Sequence, residues 1–484
     1  MTTLLRRYSD QIMIVSLFGL ACIPYWPFKV DDAYISFVYA RNWAQGQGLT
    51  YNGLNVEGYS NFLWTVLIAG FLKLGADPML VARGLSLIFG AICLLVIHKL
   101  HARLNPGIGR VTAVLATLSV GLSAPFLAWT VGGLETVFLA SLISLSIYAI
   151  VAGGLCARYA SPLLLLAVAL TRPEGVMLFP IFVAYRCWRK PRPAASWLVP
   201  ALIFIVPYGL FILWRYATYG YPLPNTAYLK LNPSSDTIRL AAEWLLAYFR
   251  LRPIFTILLI AGLSILLRQG TRVDPVWWLS TLVILAFVGF VLFSGRDWMP
   301  HHRFLVPIIP LFGLCIGKIF TAWSDKRILL ALQALTVISI LFEIGFSLSL
   351  YRPLTVDFGR YADGQIQAGK RIRETTSPDD TIAIVDAGAI AYYSERRTID
   401  ILGLNNEHIA HALNKSDTAY VLSQEPVIIQ LHAPSSSTGE LLEPIEQGTT
   451  QEITSHPRFK ECYVPDINRP PDPYYPYLFF RRCP

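Results

Sequence analysis

The sequence predicts a polytopic α-helical membrane protein of about eleven transmembrane helices, followed by a C-terminal extracytoplasmic α/β domain. Three observations carry this. Hydrophobic residues make up 54% of the 484 and charged residues only 15%, with a mean hydropathy of +0.48; a soluble chain of this size carries about 25% charged residues. The apolar residues collect in runs of roughly 18 to 20, the length of a bilayer-crossing helix. Lys and Arg fall in alternate short loops between those runs, the pattern of the positive-inside rule.

The first span, about 11–28, follows Arg6 and Arg7, which places the N-terminus in the cytoplasm and Asp31 outside. It lacks a small-x-small cleavage site and ends in the bulky Pro24-Tyr25-Trp26-Pro27, so it reads as an uncleaved helix. Phe62–Leu74 is short for a span. Laid along the outer interface, it puts His98, Lys99, His101, Arg103 and Arg110 inside, in keeping with the charge rule. Further spans follow at about 80–100, 111–127, 134–152, 159–171, 174–188, 195–216, 250–267, 275–293, 304–321 and 328–350. Inside loops then carry Arg158, Arg186 to Arg192, Arg268, Arg272, Lys326 and Arg327, while outside loops carry Asp31, Asp32, Glu57, Glu135, Glu174, Lys230, Arg296, Asp297 and His301 to Arg303, so most of the short-loop Lys and Arg fall on one side. Residues 1–350 form the transmembrane domain, with a first outer loop at about 29–79, and residues 351–484 form a periplasmic domain of an inner-membrane protein.

In that domain Thr381–Asp386, Thr398–Leu402, Tyr420–Leu422 and Val427–Leu431 read as strands. Ala387–Tyr393 reads as a turn and short helix, and Asn405–Leu413 as a helix. Ser435–Gly439 has the composition of a flexible loop, and Pro465–Pro476 that of an irregular or polyproline segment. Five cysteines (Cys22, Cys93, Cys156, Cys187, Cys315) lie in or beside apolar runs as small hydrophobes. Cys462 and Cys483 are the pair in the polar part, and an oxidising compartment would join them.

The net charge of +9 does not indicate a nucleic-acid partner, because the basic residues sit in loops at the membrane surface. No internal repeat, heptad array or Gly-rich phosphate loop is present, so no nucleotide cofactor is expected. Chemistry is expected in Asp31–Trp64, DDAYISFVYARNWAQGQGLTYNGLNVEGYSNFLW, which carries unusual polar density beside apolar spans. The Asp31–Asp32 pair suits a general base, since desolvation and a like-charged neighbour both raise a carboxylate's proton affinity; the same pair also suits a solvated helix start or the N-cap of a helix over Ala33–Ala44. Tyr34, Arg41, Glu57, Tyr59 and Asn61 of the same loop are candidates for holding sugar or acceptor, although Asn and Gly there also suit turns.

Glu135 in GGLET and Glu174 in TRPEG stand at outer helix ends, where a carboxylate also complements the helix dipole. Arg296, Asp297, Trp298, His301, His302 and Arg303 crowd the segment GRDWMPHHRF. Arg296, Arg303, His302 and Lys230 of YGYPLPNTAYLK are candidates for a phosphate, and Asn225, Asp297 and Trp298 for sugar or acceptor. Adjacent His301 and His302 also leave a divalent metal open, with nothing in the spacing to require one.

DDAYISF, YARN, GLTYN, VEGYSNFLW, GGLET, TRPEG, YPLPNTAYLK, GRDWMPHHRFLVPIIP and DAGAIAYYSERRTIDILGLNN together resemble the GT-C glycosyltransferases, and within them the AftB-type arabinofuranosyltransferases of cell-wall arabinan. The resemblance runs through most of the membrane region and into the first part of the outer domain. It implies transfer of a sugar, arabinofuranose foremost, from a polyprenyl-phosphate donor to a glycan or protein acceptor (a pilin, for instance) on the outer face. It also implies that the essential Asp of the first outer loop is Asp31 or Asp32, with Asp31 favoured as the leading acid. His301-His302 before Arg303 departs from the family pattern. The competing expectation is a transporter or flippase of lipid-linked saccharide, which needs ionisable residues within spans; Glu343 is the clearest of the few here.

Overall fold

The computed structural model describes residues 2–189, 195–230, 234–270, 274–412, 417–432, 444–466 and 477–483. Its contacts divide the chain into two compact units. Unit 1 comprises Met1–Trp26, Met79–Phe211 and Pro233–Thr355; unit 2 comprises Pro27–Pro78, Ile212–Asn232 and Val356–Pro484. The first outer loop and the segment after residue 211 therefore pack with the C-terminal domain.

Unit 1 is helical. Among the described residues, Pro78–Leu104, Leu198–Tyr219, Val276–Ser294 and Lys326–Thr375 are long and apolar enough to cross a bilayer. Two bent pairs, Arg110–Gly121 with Ala124–Val131 and Ser235–Arg250 with Pro253–Gln269, turn by 60° and 101° and bring the number to six if each is one span. The expected count of about eleven is not reached on length. Thr136–Ala152, Cys156–Thr171 and Ile309–Ile319 are apolar helices of 10–17 residues, and at 1.5 Å per residue these fall short of a hydrocarbon core of about 30 Å. Leu202, Ile205, Leu210 and Leu213 are exposed along one long helix and Leu285 and Phe293 along another, as lipid-facing surfaces require. Helical structure does not stop near residue 350: the helix Lys326–Phe346 is followed by a π-helical turn at Ser347–Tyr351 and by the helix Arg352–Thr375.

Unit 2 is an α/β sandwich around a five-stranded sheet: β1 (Thr381–Ile384), β2 (Arg397–Asp400), β3 (Ile428–His432), β4 (Tyr463–Pro465) and β5 (Tyr477–Arg482), in the order β2-β1-β3-β5-β4. β1 pairs in parallel with β2 and β3, whereas β5 runs antiparallel to β3 and β4. Strands buried on both faces read as continuous apolar runs, and β3 is buried at every position. On one face Ile382, Ile384, Ile428 and Phe479 pack with Ile35, Val38 and Tyr39 of the helix Asp31–Ala44 and with Ala368 and Ile372. On the other, Ala383, Ile429 and Leu431 pack with Ile409, Val421, Ile453 and Phe459. A helix of the first loop is thus a covering layer of the C-terminal sheet.

Several expected elements shift. Tyr420–Leu422 is not a strand; it lies in the helix Thr418–Ser423, started by Asp417, whose carboxylate accepts the Tyr420 N–H at 2.8 Å. Asn405–Leu413 contracts to Glu407–Ala410 with Asn406 as its cap. Ser435–Gly439 and most of Pro465–Pro476 lie outside the described residues. Cys462 and Cys483 are neighbours, the N–H of Cys483 donating to the Cys462 carbonyl at 2.8 Å, but both thiols are unbonded.

Candidate active site

Asp31 and Asp32 open the helix Asp31–Ala44; Val30 is the N-cap residue and provides no side-chain cap. Carboxylates are favoured in such a first turn because four N–H groups there lack helical partners. Asp31 goes further. It is buried, and its two oxygens accept the N–H groups of Gly388 at 2.9 Å and Ala389 at 2.7 Å. Gly388 has to be glycine, because a Cβ there would collide with the Asp31 carbonyl and carboxylate. Burial, then the charges of Asp386 and Asp32, push the Asp31 carboxyl well above the usual aspartate range, against the pull of the two amides. A carboxylate has about four lone-pair positions, so two remain for a ligand hydroxyl. Asp32 is half-buried.

Three sequence motifs meet in unit 2. The Arg215 guanidinium pairs with Glu57 at 2.9 Å, both groups being nearly inaccessible. The Glu57 carbonyl accepts the N–H of Asn225 at 3.0 Å, and the Asn225 amide donates to the Leu404 carbonyl at 3.2 Å. Asn405 in turn donates to Asp400 through its backbone at 2.8 Å and its side chain at 2.9 Å. Burial pushes Glu57 up to about 7, with Arg215 drawing it down, and pushes Asp400 up to about 6, with Asn405, Leu402 and Gly403 drawing it down. Folding therefore tightens proton binding at both. The stability they contribute is full below their ordinary values of 4.5 and 3.8 and is lost as pH rises through about 7 and about 6. The melting temperature of the full chain in detergent is expected to fall between pH 5 and pH 8, and Glu57→Gln is expected to flatten that fall. A melting temperature that rises across this range would contradict the assignment.

Other loop residues are used internally. Asn61 accepts from Ser36 at 2.9 Å and Thr65 at 3.1 Å. The Tyr59 and Tyr219 hydroxyls lie 3.2 Å apart. Tyr34 packs against Phe37, Tyr392 and Tyr393, and Arg41 donates to the Tyr392 carbonyl at 2.6 Å. These side chains build unit 2. Lys230 ends the helix Asn225–Lys230, and its side chain lies outside the described residues.

Unit 1 holds the remaining candidates. Arg172 donates to Glu135 at 3.3 Å and to Glu174 at 2.9 Å, so GGLET and TRPEG are joined through an arginine. Arg303 is buried and forks onto Asp297 at 2.9 and 3.0 Å, which neutralises its charge locally. Arg296 and Trp298 are exposed. His301 and His302 are successive left-handed residues, with φ of 60° and 48°, a conformation that reverses the chain at a cost. His301 lies 3.1 Å from the Thr355 hydroxyl, while His302 packs against Trp244 and Tyr248. Burial pushes both imidazoles down to about 3. His302, expected among the phosphate-binding residues, is half-buried against those two aromatic rings. Among the described residues no group of three or more His, Cys, Asp or Glu is placed to hold a metal ion.

Sequence reasoning passed over Arg172, Arg215, Asp386 and Asp400. A lone Arg215 within an apolar run was a usable signal; the two aspartates had none.

Residues 357–465 match a family described as a domain of unknown function, DUF8728. No curated protein matches the chain. Among solved structures, ArnT from Cupriavidus metallidurans bound to undecaprenyl phosphate is similar over 98% of both chains, with 13% identity and a TM-score of 0.66. The archaeal oligosaccharyltransferase AglB from Archaeoglobus fulgidus, in complex with an inhibitory peptide and a dolichol-phosphate, is similar over 88% of this chain and 69% of that one, with 10% identity and a TM-score of 0.53. These proteins are GT-C superfamily members, and the fold of this chain is the GT-C fold that its motifs resemble.

Proposed function

We propose that this chain is an integral-membrane glycosyltransferase that takes a sugar, arabinofuranose foremost, from a polyprenyl-phosphate carrier and passes it to a glycan or protein hydroxyl on the periplasmic face. The observation that carries this reading is the end-to-end likeness to a structure solved with undecaprenyl phosphate. A lipid-phosphate donor needs no nucleotide site, in keeping with the sequence. Asp31 is the general base. Its surroundings raise its proton affinity, and two amides fix its orientation.

In the transfer step the acceptor oxygen bonds to the anomeric carbon as its proton passes to Asp31. The bond from that carbon to the phosphate oxygen breaks, and the phosphate leaves with the electron pair. Arg296 is the cation assigned to phosphate, because it is exposed and has no ion-pair partner among the described residues, unlike Arg303.

The test is release of polyprenyl phosphate from polyprenyl-phosphate arabinofuranose by the full chain in nanodiscs, with candidate glycan acceptors present. Release is expected, and Arg296→Ala is expected to raise the donor KM about tenfold, the worth of one charge-assisted contact of about 1.5 kcal/mol. No release from this or any other lipid-linked sugar would overturn the reading. An unchanged KM would remove Arg296 from the donor site.

A further inference from the structure

Gly388, which with Ala389 holds Asp31, closes the loop 385–388 that leaves β1 and contains Asp386, and Ala389 opens the helix Ala389–Ser394. In sheets with parallel strands, ligand chemistry collects beyond the carboxyl ends of those strands. The three parallel strands here deliver Asp386 after β1, Asp400 at the end of β2, Gln430 from the middle of β3 and His432 at its end.

Asp386 is braced from several directions. The fully buried Gln430 accepts the N–H groups of Val385 at 2.8 Å and Asp386 at 3.3 Å, and its amide lies 3.5 Å from the Asp386 carboxylate. The Tyr361 hydroxyl donates to the same oxygen at 3.2 Å. The Nε2 of His432 lies 3.6 Å from the other oxygen, with the imidazole 5% and the carboxylate 15% exposed. The turn itself requires only hydrogen-bond acceptors, which an Asn would supply without charge. Placing a carboxylate beside Asp31 instead costs like-charge repulsion. That cost needs a return.

We propose that the C-terminal domain supplies Asp386 as a positioning residue for Asp31, the carboxyl group braced in the same loop that holds Asp31 by its amides. The functional meaning rests on the transferase reading; the electrostatic claim does not. The charged and titratable groups that face this pair include Asp32 from the same helix as Asp31, Tyr51 of the first loop, whose hydroxyl donates to the Ala387 carbonyl at 2.9 Å, Tyr361 from the long helix, and His432 from β3. Burial is the largest influence on Asp31, and Asp386 is the largest charged one, ahead of Asp32.

Infrared titration of the full chain in detergent reads the protonated carboxyl stretch directly and needs no substrate. Wild type is expected to show a carboxyl band whose midpoint lies above the ordinary aspartate range and which is lost in Asp31→Asn. In Asp386→Asn the midpoint is expected to move down by about one pH unit or more. In Asp386→Glu, which keeps the charge, it is expected to stay near the wild-type value. If Asp386→Asn does not fold, Asp386→Ser removes the same charge with a smaller side chain. A midpoint unmoved by loss of the charge overturns the inference. Failure to release polyprenyl phosphate would overturn the transferase reading and leave this result standing.

Discussion

Asp31→Asn is expected to lower transfer by about 10²- to 10⁴-fold, the range contributed by a positioned general base, while the chain still folds. The two effects separate for a physical reason. The Asn amide keeps one oxygen acceptor for the N–H groups of Gly388 and Ala389 but turns an N–H₂ group toward the other. One buried donor then loses its partner, at about 1–3 kcal/mol. The melting temperature should therefore drop modestly, and initial rates of polyprenyl-phosphate release should collapse. Asp32→Asn is expected to cost less, because Asp32 is only half-buried and the amides of Gly388 and Ala389 hold Asp31 instead. The opposite ranking, with Asp32→Asn inactive and Asp31→Asn near wild type, would move the base to Asp32 and leave Asp31 as an anchor for the C-terminal domain. In wild type the acid limb of the rate profile should lie above that of an ordinary aspartate, since a base with raised proton affinity is disabled earlier as pH falls.

The fold class was legible because apolar run length and loop charge are set by the bilayer itself. The span count was not. Breaks at 121–124 and 250–253 leave hydropathy nearly continuous, and several apolar runs are short helices. In the C-terminal domain, alternation found β1, β2 and β3, but Tyr420–Leu422 followed its capping residue Asp417 rather than its strand propensity. The first loop was correctly singled out as unusual in residue types, yet those types could not be sorted by role. A loop rich in Tyr, Asn and Arg looks the same whether it faces a ligand or packs under a sheet, and Tyr34, Tyr59, Asn61 and Arg41 have internal partners. Asp386 and Asp400 fall at or near the ends of expected strands, with nothing in their spacing to mark them. Only the parallel order β2-β1-β3 brings them to one sheet edge.

Replacing Arg252 alone with Met is expected to destabilise the chain by about 3–5 kcal/mol, the cost of stranding a buried charge. Glu343 was the residue that gave the transporter reading its foothold, as an ionisable group within a span. The structure gives it an occupation. Its carboxylate accepts the N–H of Ala124 at 3.0 Å, at the break between Arg110–Gly121 and Ala124–Val131. It also pairs with Arg252 at 3.1 Å, at the break between Ser235–Arg250 and Pro253–Gln269. One side chain thus satisfies backbone freed by one bend and charge placed at another, which is how broken helices persist inside a membrane protein. Arg252 is itself lodged against the Tyr248 and Tyr351 rings, which an apolar chain of similar volume can also fill. Hence Glu343→Leu with Arg252→Met is expected to recover most of the stability lost by Arg252→Met alone, since a buried pair exchanged for apolar groups is often neutral. It is expected to stay about 1–3 kcal/mol below wild type, because the Ala124 N–H loses its acceptor. Melting temperatures of the two single variants and the double variant in detergent close the cycle, and polyprenyl-phosphate release by the double variant should stay near wild type. A double variant that keeps this stability but cannot release the carrier would mean that the pair takes part in the transfer reaction.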